Sequence, residues 1–108
     1  MTDDTYNGHP NRETYMFHLH VANDEYLQNL AHRTTRAVLA NCVDPFPSYV
    51  GEHVVAAIRD AINEEADSGY PPAREFALGA LRDIGSFWRI DESHVGAAML
   101  RDVAEIDA

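Results

Sequence analysis

The sequence predicts an all-α fold, a small bundle of four to five helices behind an N-terminal arm. Three observations carry that expectation. Apolar residues recur at three- and four-residue spacing in segments separated by breaks rich in Pro, Gly, Asn and Asp. Alanine, the strongest helix former, occurs fifteen times. The breaks are about 4–8 residues long, the length that joins neighbouring helices packed roughly antiparallel.

Residues 1–10 (MTDDTYNGHP) carry turn formers and no apolar period, and read as the arm. Asn11 is placed to cap a helix opening on Arg12-Glu13-Thr14, where an acid in the first turn is favourable. Residues 12–21 fit two periods. Tyr15, Phe17, Leu19 and Val21 alternate with Met16, His18 and His20 as in a strand, whereas the cap suits a short helix. No other segment offers a partner strand, so helix is preferred. Asn23-Asp24-Glu25 starts a second helix, striped by Leu27, Leu30, Ala31, Thr34 and Val38; Asn41 and Asp44-Pro45-Phe46-Pro47 stop it. Ser48 is the expected cap of a third helix over 48–68, with Val50, Val54, Ile58, Ala61 and Ile62 on its inner face. Ser68 to Pro72 closes that helix and opens a fourth, carrying Phe76, Ala77, Ala80, Leu81 and Ile84 up to the Gly85-Ser86 break. In the connector Phe87-Trp88-Arg89-Ile90, the two aromatic residues are expected to anchor the core. Asp91 or Ser93 caps a last helix striped by Val95, Met99, Leu100, Val103 and Ile106. A chain of 108 residues holds one core, so residues 1–108 read as one domain.

Charge narrows the function classes. Eighteen Asp and Glu face eight basic residues, all arginine, for a formal net charge of −10. Such a chain gains nothing from counterion release, which disfavours direct nucleic-acid binding. The single cysteine, Cys42, forms no internal disulfide and no thiolate zinc site. Apolar runs are only a few residues long, and Met1-Thr2-Asp3-Asp4 lacks a basic-then-apolar signal pattern. The expectation is a cytoplasmic protein, away from membranes.

Catalytic motifs do not emerge. His18 and His20 lie about 200° apart on a helix, and neither belongs to a His-Glu-x-x-His pair. His53 and His94 sit on other helices, and His9 and His32 are isolated in sequence. No Gly-x-Ser-x-Gly elbow or Gly-rich phosphate loop occurs, and Ser48, Ser68, Ser86 and Ser93 stand at caps and turns. The expectation is therefore a non-enzyme without metal or cofactor.

The acids, in contrast, are partly organised. Glu52, Asp60, Glu64 and Asp67 fall opposite the apolar stripe of the third helix, along about 22 Å at 1.5 Å rise per residue. Asp3 and Asp4 add charge at the N-terminus, and Asp102, Glu105 and Asp107 at the other end. These residues suit a docking surface for a basic partner, with Glu52, Asp60, Glu64 and Asp67 as the main contacts and Asp3 and Asp4 as secondary ones. A solvated helix face, or adaptation to high salt, accounts for the same acids without a partner.

Residues 6–25 add a resemblance. Tyr6, Asn7, Gly8, Asn11, Glu13, Thr14, Leu19, Asn23, Asp24 and Glu25 match a family of small uncharacterised proteins of phages, plasmids and haloarchaea. That family opens Tyr-Asn-Gly-Trp-x-Asn-x-Glu-Thr-Trp and continues Leu-Trp-x-x-Asn-Asp-Glu. Three of its tryptophans are replaced here, by His9, Tyr15 and His20. The resemblance implies a helical fold and a mobile-element origin, with no established activity. Joined to the charge, it gives the expected function: a phage or mobile-element protein that binds and inhibits a host nucleic-acid-binding defence complex, of anti-CRISPR or anti-restriction type. It would act without catalysis, its acids standing in for DNA. The alternative is an adaptor or homodimer that associates through an apolar patch around Tyr15, Phe17 or Trp88, its acidity serving only solvation.

Overall fold

The computed structural model describes residues 8–108. Five α-helices follow in order: α1 (Arg12–Ala22), α2 (Glu25–Asn41), α3 (Pro47–Ala66), α4 (Pro71–Ile84) and α5 (Glu92–Ile106). A 3-10 turn (Phe87–Arg89) joins the last two, and there is no strand among the described residues. This is the all-α bundle that the apolar spacing predicts, and residues 12–21 are helical.

The helix starts follow local chemistry. The Asn11 side chain accepts from the Thr14 N–H at 2.8 Å, Asp24 from Leu27 at 2.9 Å and Asp91 from His94 at 3.0 Å. Each satisfies a backbone donor that the first turn leaves open. The third start differs from expectation. Pro47, not Ser48, begins α3, and the cap residue Phe46 makes no side-chain bond. Proline's fixed φ suits the first helical position, and its missing N–H costs nothing there. This moves the start one residue upstream and leaves Ser48 exposed. Pro71 opens α4 in the same way. Gly85, at φ 75°, ends α4 in the left-handed region that glycine tolerates.

Helix α3 is the hub, packing against α2, α4 and α5, while α1 lies against α2 and α4. All five residues of its expected stripe are buried, joined by Val55 and Gly51. At the α3–α5 contact, two glycines let the backbones meet. A Cβ on Gly51 would collide with the Glu92 carbonyl, and one on Gly96 with the Pro47 carbonyl.

Several side chains depart from their expected stripes. In α2, Thr35 and His32 are buried and Thr34 is only half-buried, because α5 as well as α3 covers this helix. The Thr35 hydroxyl donates to the Ala31 carbonyl at 2.8 Å, which makes its burial affordable. Phe76 lies at the edge of the α4 stripe and is partly exposed, its ring edge-on to His20. Ile106 is exposed in the last turn of α5. Trp88 is 82% exposed, with the Arg89 guanidinium 5.7 Å from its ring centre, and Phe87 alone of that pair packs against the core. With three residues per turn, adjacent side chains of a 3-10 turn point about 120° apart, so Phe87 and Trp88 do not share a face.

Candidate functional site

Helix α3 carries the acid row where the sequence places it. Glu52, Asp60, Glu64 and Asp67 are all exposed, turned away from the buried Val50, Val54, Ile58, Ala61 and Ile62. Asp67 is the residue that closes the helix rather than part of it. Asp3 and Asp4 lie outside the described residues.

The row is a line with interruptions. Arg59 Nε lies 3.8 Å from Asp60 Oδ1 and offsets that charge. Among the described residues, Glu52, Glu64 and Asp67 have no ion-pair partner. Near the start of the helix, the Tyr49 and His53 rings meet edge-on, 4.6 Å apart. About 22 Å of duplex presents on the order of 13 phosphates, so four carboxylates imitate only part of such a surface.

The far end of α3 concentrates the charge. Glu64, Glu65 and Asp67 crowd the last turn, which has no basic residue. The helix dipole places partial negative charge at this end, so each acid here is set against it. Glu65 turns inward toward the start of α2. Burial, together with the Asp24 carboxylate, raises its carboxyl above the usual value. Tyr26, Ala61, Glu64, Glu65 and Ser68 line an open depression of about 430 Å³ here, with Tyr26 54% exposed. Tyrosine is among the side chains enriched at protein contacts, whereas acids are depleted there. The sequence signal of Tyr26 is that it falls just off the Leu27–Ala31–Val38 stripe.

Other acids have internal tasks. Asp24 and Asp91 cap helices. Glu13 lies 3.5 Å from Arg89, Asp83 3.2 Å from His20 and Asp102 3.8 Å from His32. Arg36 grips Asp107 through two hydrogen bonds of 3.0 and 3.1 Å, which hold that carboxyl below its usual range. The charge at the C-terminal end is thus partly neutralised from α2, and α3 presents the clearer acidic face.

The residues of the N-terminal motif face inward. Asn11 Nδ2 donates to the Arg89 carbonyl at 2.7 Å. The buried Thr14 hydroxyl accepts from the Asp91 N–H at 2.9 Å. With the Glu13–Arg89 pair, Asn11, Glu13 and Thr14 fasten the start of α1 to the connector before α5.

Among the exposed apolar side chains, two places stand out. Val43, Phe46 and Tyr49 project at the α2–α3 corner, around a depression of about 320 Å³ that also includes Cys42 and Pro45. Trp88 stands at another position. Phe17 is buried and Tyr15 half-buried, so of the three residues expected to mark an apolar patch, Trp88 alone is largely exposed.

The histidines are not all isolated. His9, His18 and His94 come together, although no group of three or more His, Cys, Asp or Glu among the described residues is arranged to hold a metal ion. Among the described residues, no helix is long and apolar enough to cross a membrane.

Neither the curated proteins nor the solved structures include a match to this chain. A family model does match, over residues 2–70, which span α1, α2, α3 and the turn into α4. The chain therefore belongs to a family of unknown function, DUF7249.

Proposed function

We propose that this is a non-catalytic protein of a phage or other mobile element that docks the acidic face of α3 into a basic groove of a host defence complex. The target class is a protein or ribonucleoprotein that binds DNA or RNA, such as a CRISPR effector or a restriction enzyme. Carboxylates would occupy Arg and Lys side chains meant for phosphates, and the effect would be inhibition by occupancy.

The observation that carries this reading is the last turn of α3. Glu64 and Asp67, both exposed, sit with the half-buried Glu65 against the helix dipole, without a basic residue in that turn. Acids at a helix C-terminus cost about 0.3–1 kcal/mol each, so solvation alone gives no reason to gather them there. Stability sacrificed locally at an exposed surface is the pattern of a site kept for binding. Tyr26, beside the acids, supplies an aromatic contact for the same face.

The test is charge reversal. The combined Glu52→Lys, Asp60→Lys, Glu64→Lys and Asp67→Lys variant is expected to keep its helical circular dichroism and to lose the partner. Binding that survives both the reversal and high salt would remove the electrostatic reading.

The exposed Trp88 and the Val43–Phe46–Tyr49 corner favour a second reading, an adaptor or homodimer. It expects a dimer in sedimentation that dissociates on Phe46→Ser or Trp88→Ser and is indifferent to the acid reversals.

A further inference from the structure

Three imidazoles from parts of the chain far apart in sequence converge where the arm meets the bundle. His9 belongs to the arm, His18 to α1 and His94 to the first turn of α5. The His9 ring centre is 4.7 Å from that of His18 and 4.9 Å from that of His94, with Tyr15 at 5.5 Å. His9 Nδ1 and His94 Nε2 lie 3.0 Å apart. A bond between two ring nitrogens needs one that carries a proton and one that offers a lone pair. It survives with either ring neutral. When both rings are cationic, two N–H groups face each other and the bond is lost.

We propose that the His9–His18–His94 cluster is a pH-operated latch, which fastens residues 8–10 to α1 and α5 and releases them as the rings gain protons. Among the described residues, the protein itself offers added charge no counterion here, although His18 is open to solvent. Beneath the rings lie Thr14, Phe17, Val21, Val95 and Met99, around a void of about 20 Å³ with room for roughly one water. The titratable neighbours are Tyr15 and His18 on α1 and His94 on α5. Asp91 is committed to the His94 backbone N–H, and Arg89 of the connector is paired with Glu13. Among the described residues, no carboxylate is bonded to any of the three rings. Burial, and then the charges of His18 and His94, hold His9 below the ordinary histidine value of 6.5. The sign follows. A released arm binds protons that the docked arm refuses, so docking is at full strength above 6.5 and weakens as the pH falls below it. The latch is independent of the acidic face of α3 and stands or falls separately.

Hydrogen exchange on the full chain, with histidine ring titrations by NMR, tests it. Between about pH 7.5 and about pH 5.5, protection of the Gly8, His9 and Asn11 amides, corrected for intrinsic exchange, is expected to fall about tenfold, with α2 and α3 unchanged. In His94→Gln and His18→Asn, the fall is expected to shrink and the His9 titration to move up toward its ordinary value. If either variant fails to fold, the wild-type measurement decides alone. Arm protection that is the same at both pH values overturns the latch, as does a fall of equal size in the variants. Equimolar Zn²⁺ that holds the arm down at both pH values would also overturn it, by making the cluster a metal centre.

Discussion

Asn11 performs two tasks with one side chain. Its oxygen caps α1 and its nitrogen holds the Arg89 carbonyl, so the first turn of the bundle and its last connector share a residue. Asn11→Ala is expected to cost about 1 kcal/mol for the cap alone, and more for the lost bridge, measured by urea denaturation. Thr14→Val keeps the shape but leaves the Asp91 N–H without its acceptor; the expected cost is about 1–3 kcal/mol. Glu65 acts in the opposite direction. Its raised carboxyl favours the protonated form in the folded chain, so its contribution is best below the unfolded value of 4.5 and worsens as the pH rises through the folded value. Glu65→Gln should therefore raise the melting temperature at pH 7, with the gain vanishing toward pH 4. Asn11 was legible as a cap, Asn23-Asp24-Glu25 as a helix start, and Asp91 as one of two caps beside Ser93, because capping is local. Ser48 misled because proline geometry outweighed a good capping side chain. The exposure of Trp88 and the meeting of His9 with His94 were not legible, since they depend on how the arm, α1, α5 and the connector pack.

At the scale of elements, the α3–α5 crossing sets how closely the helices approach. Gly51 and Gly96 each face a backbone carbonyl of the other helix, which cannot turn aside as a flexible side chain would. Gly51→Ala and Gly96→Ala are each expected to destabilise by more than about 1–3 kcal/mol, despite alanine's better helix propensity. A stabilised Gly51→Ala protein in thermal melts would contradict this crossing. The glycines read in sequence only as small residues inside helices, because a close approach needs a partner helix to define it. The end of α3 gives the opposite expectation. Glu64→Lys with Asp67→Lys removes charges set against the dipole and should raise stability while weakening binding. A loss of both together would mean that these acids serve the fold. Periodicity sufficed to place the α3 acids opposite its core. It did not reveal that Asp60 is offset by Arg59, or that Tyr26 borders the far end of the row.

Over the whole molecule, the eighteen acids behind the net charge of −10 include two populations that packing treats differently, while Glu25, Asp44, Glu75, Glu92 and Glu105 are exposed elsewhere. Glu13, Asp24, Asp83, Asp91, Asp102 and Asp107 face caps or cationic and histidine partners within the bundle. Glu52, Glu64 and Asp67 face solvent on one helix without ion-pair partners among the described residues. Charge arithmetic alone treats these acids as equivalent; packing separates them. The proposed docking depends on the second population, and affinity capture from a lysate of the host cell tests it most directly. The wild-type chain is expected to retain a DNA- or RNA-binding protein, and added duplex DNA or raised salt should release it. The chain with Glu52, Asp60, Glu64 and Asp67 all changed to Lys should retain none. Capture of the same protein by both chains, or capture that neither DNA nor salt disturbs, would contradict docking through the acidic face.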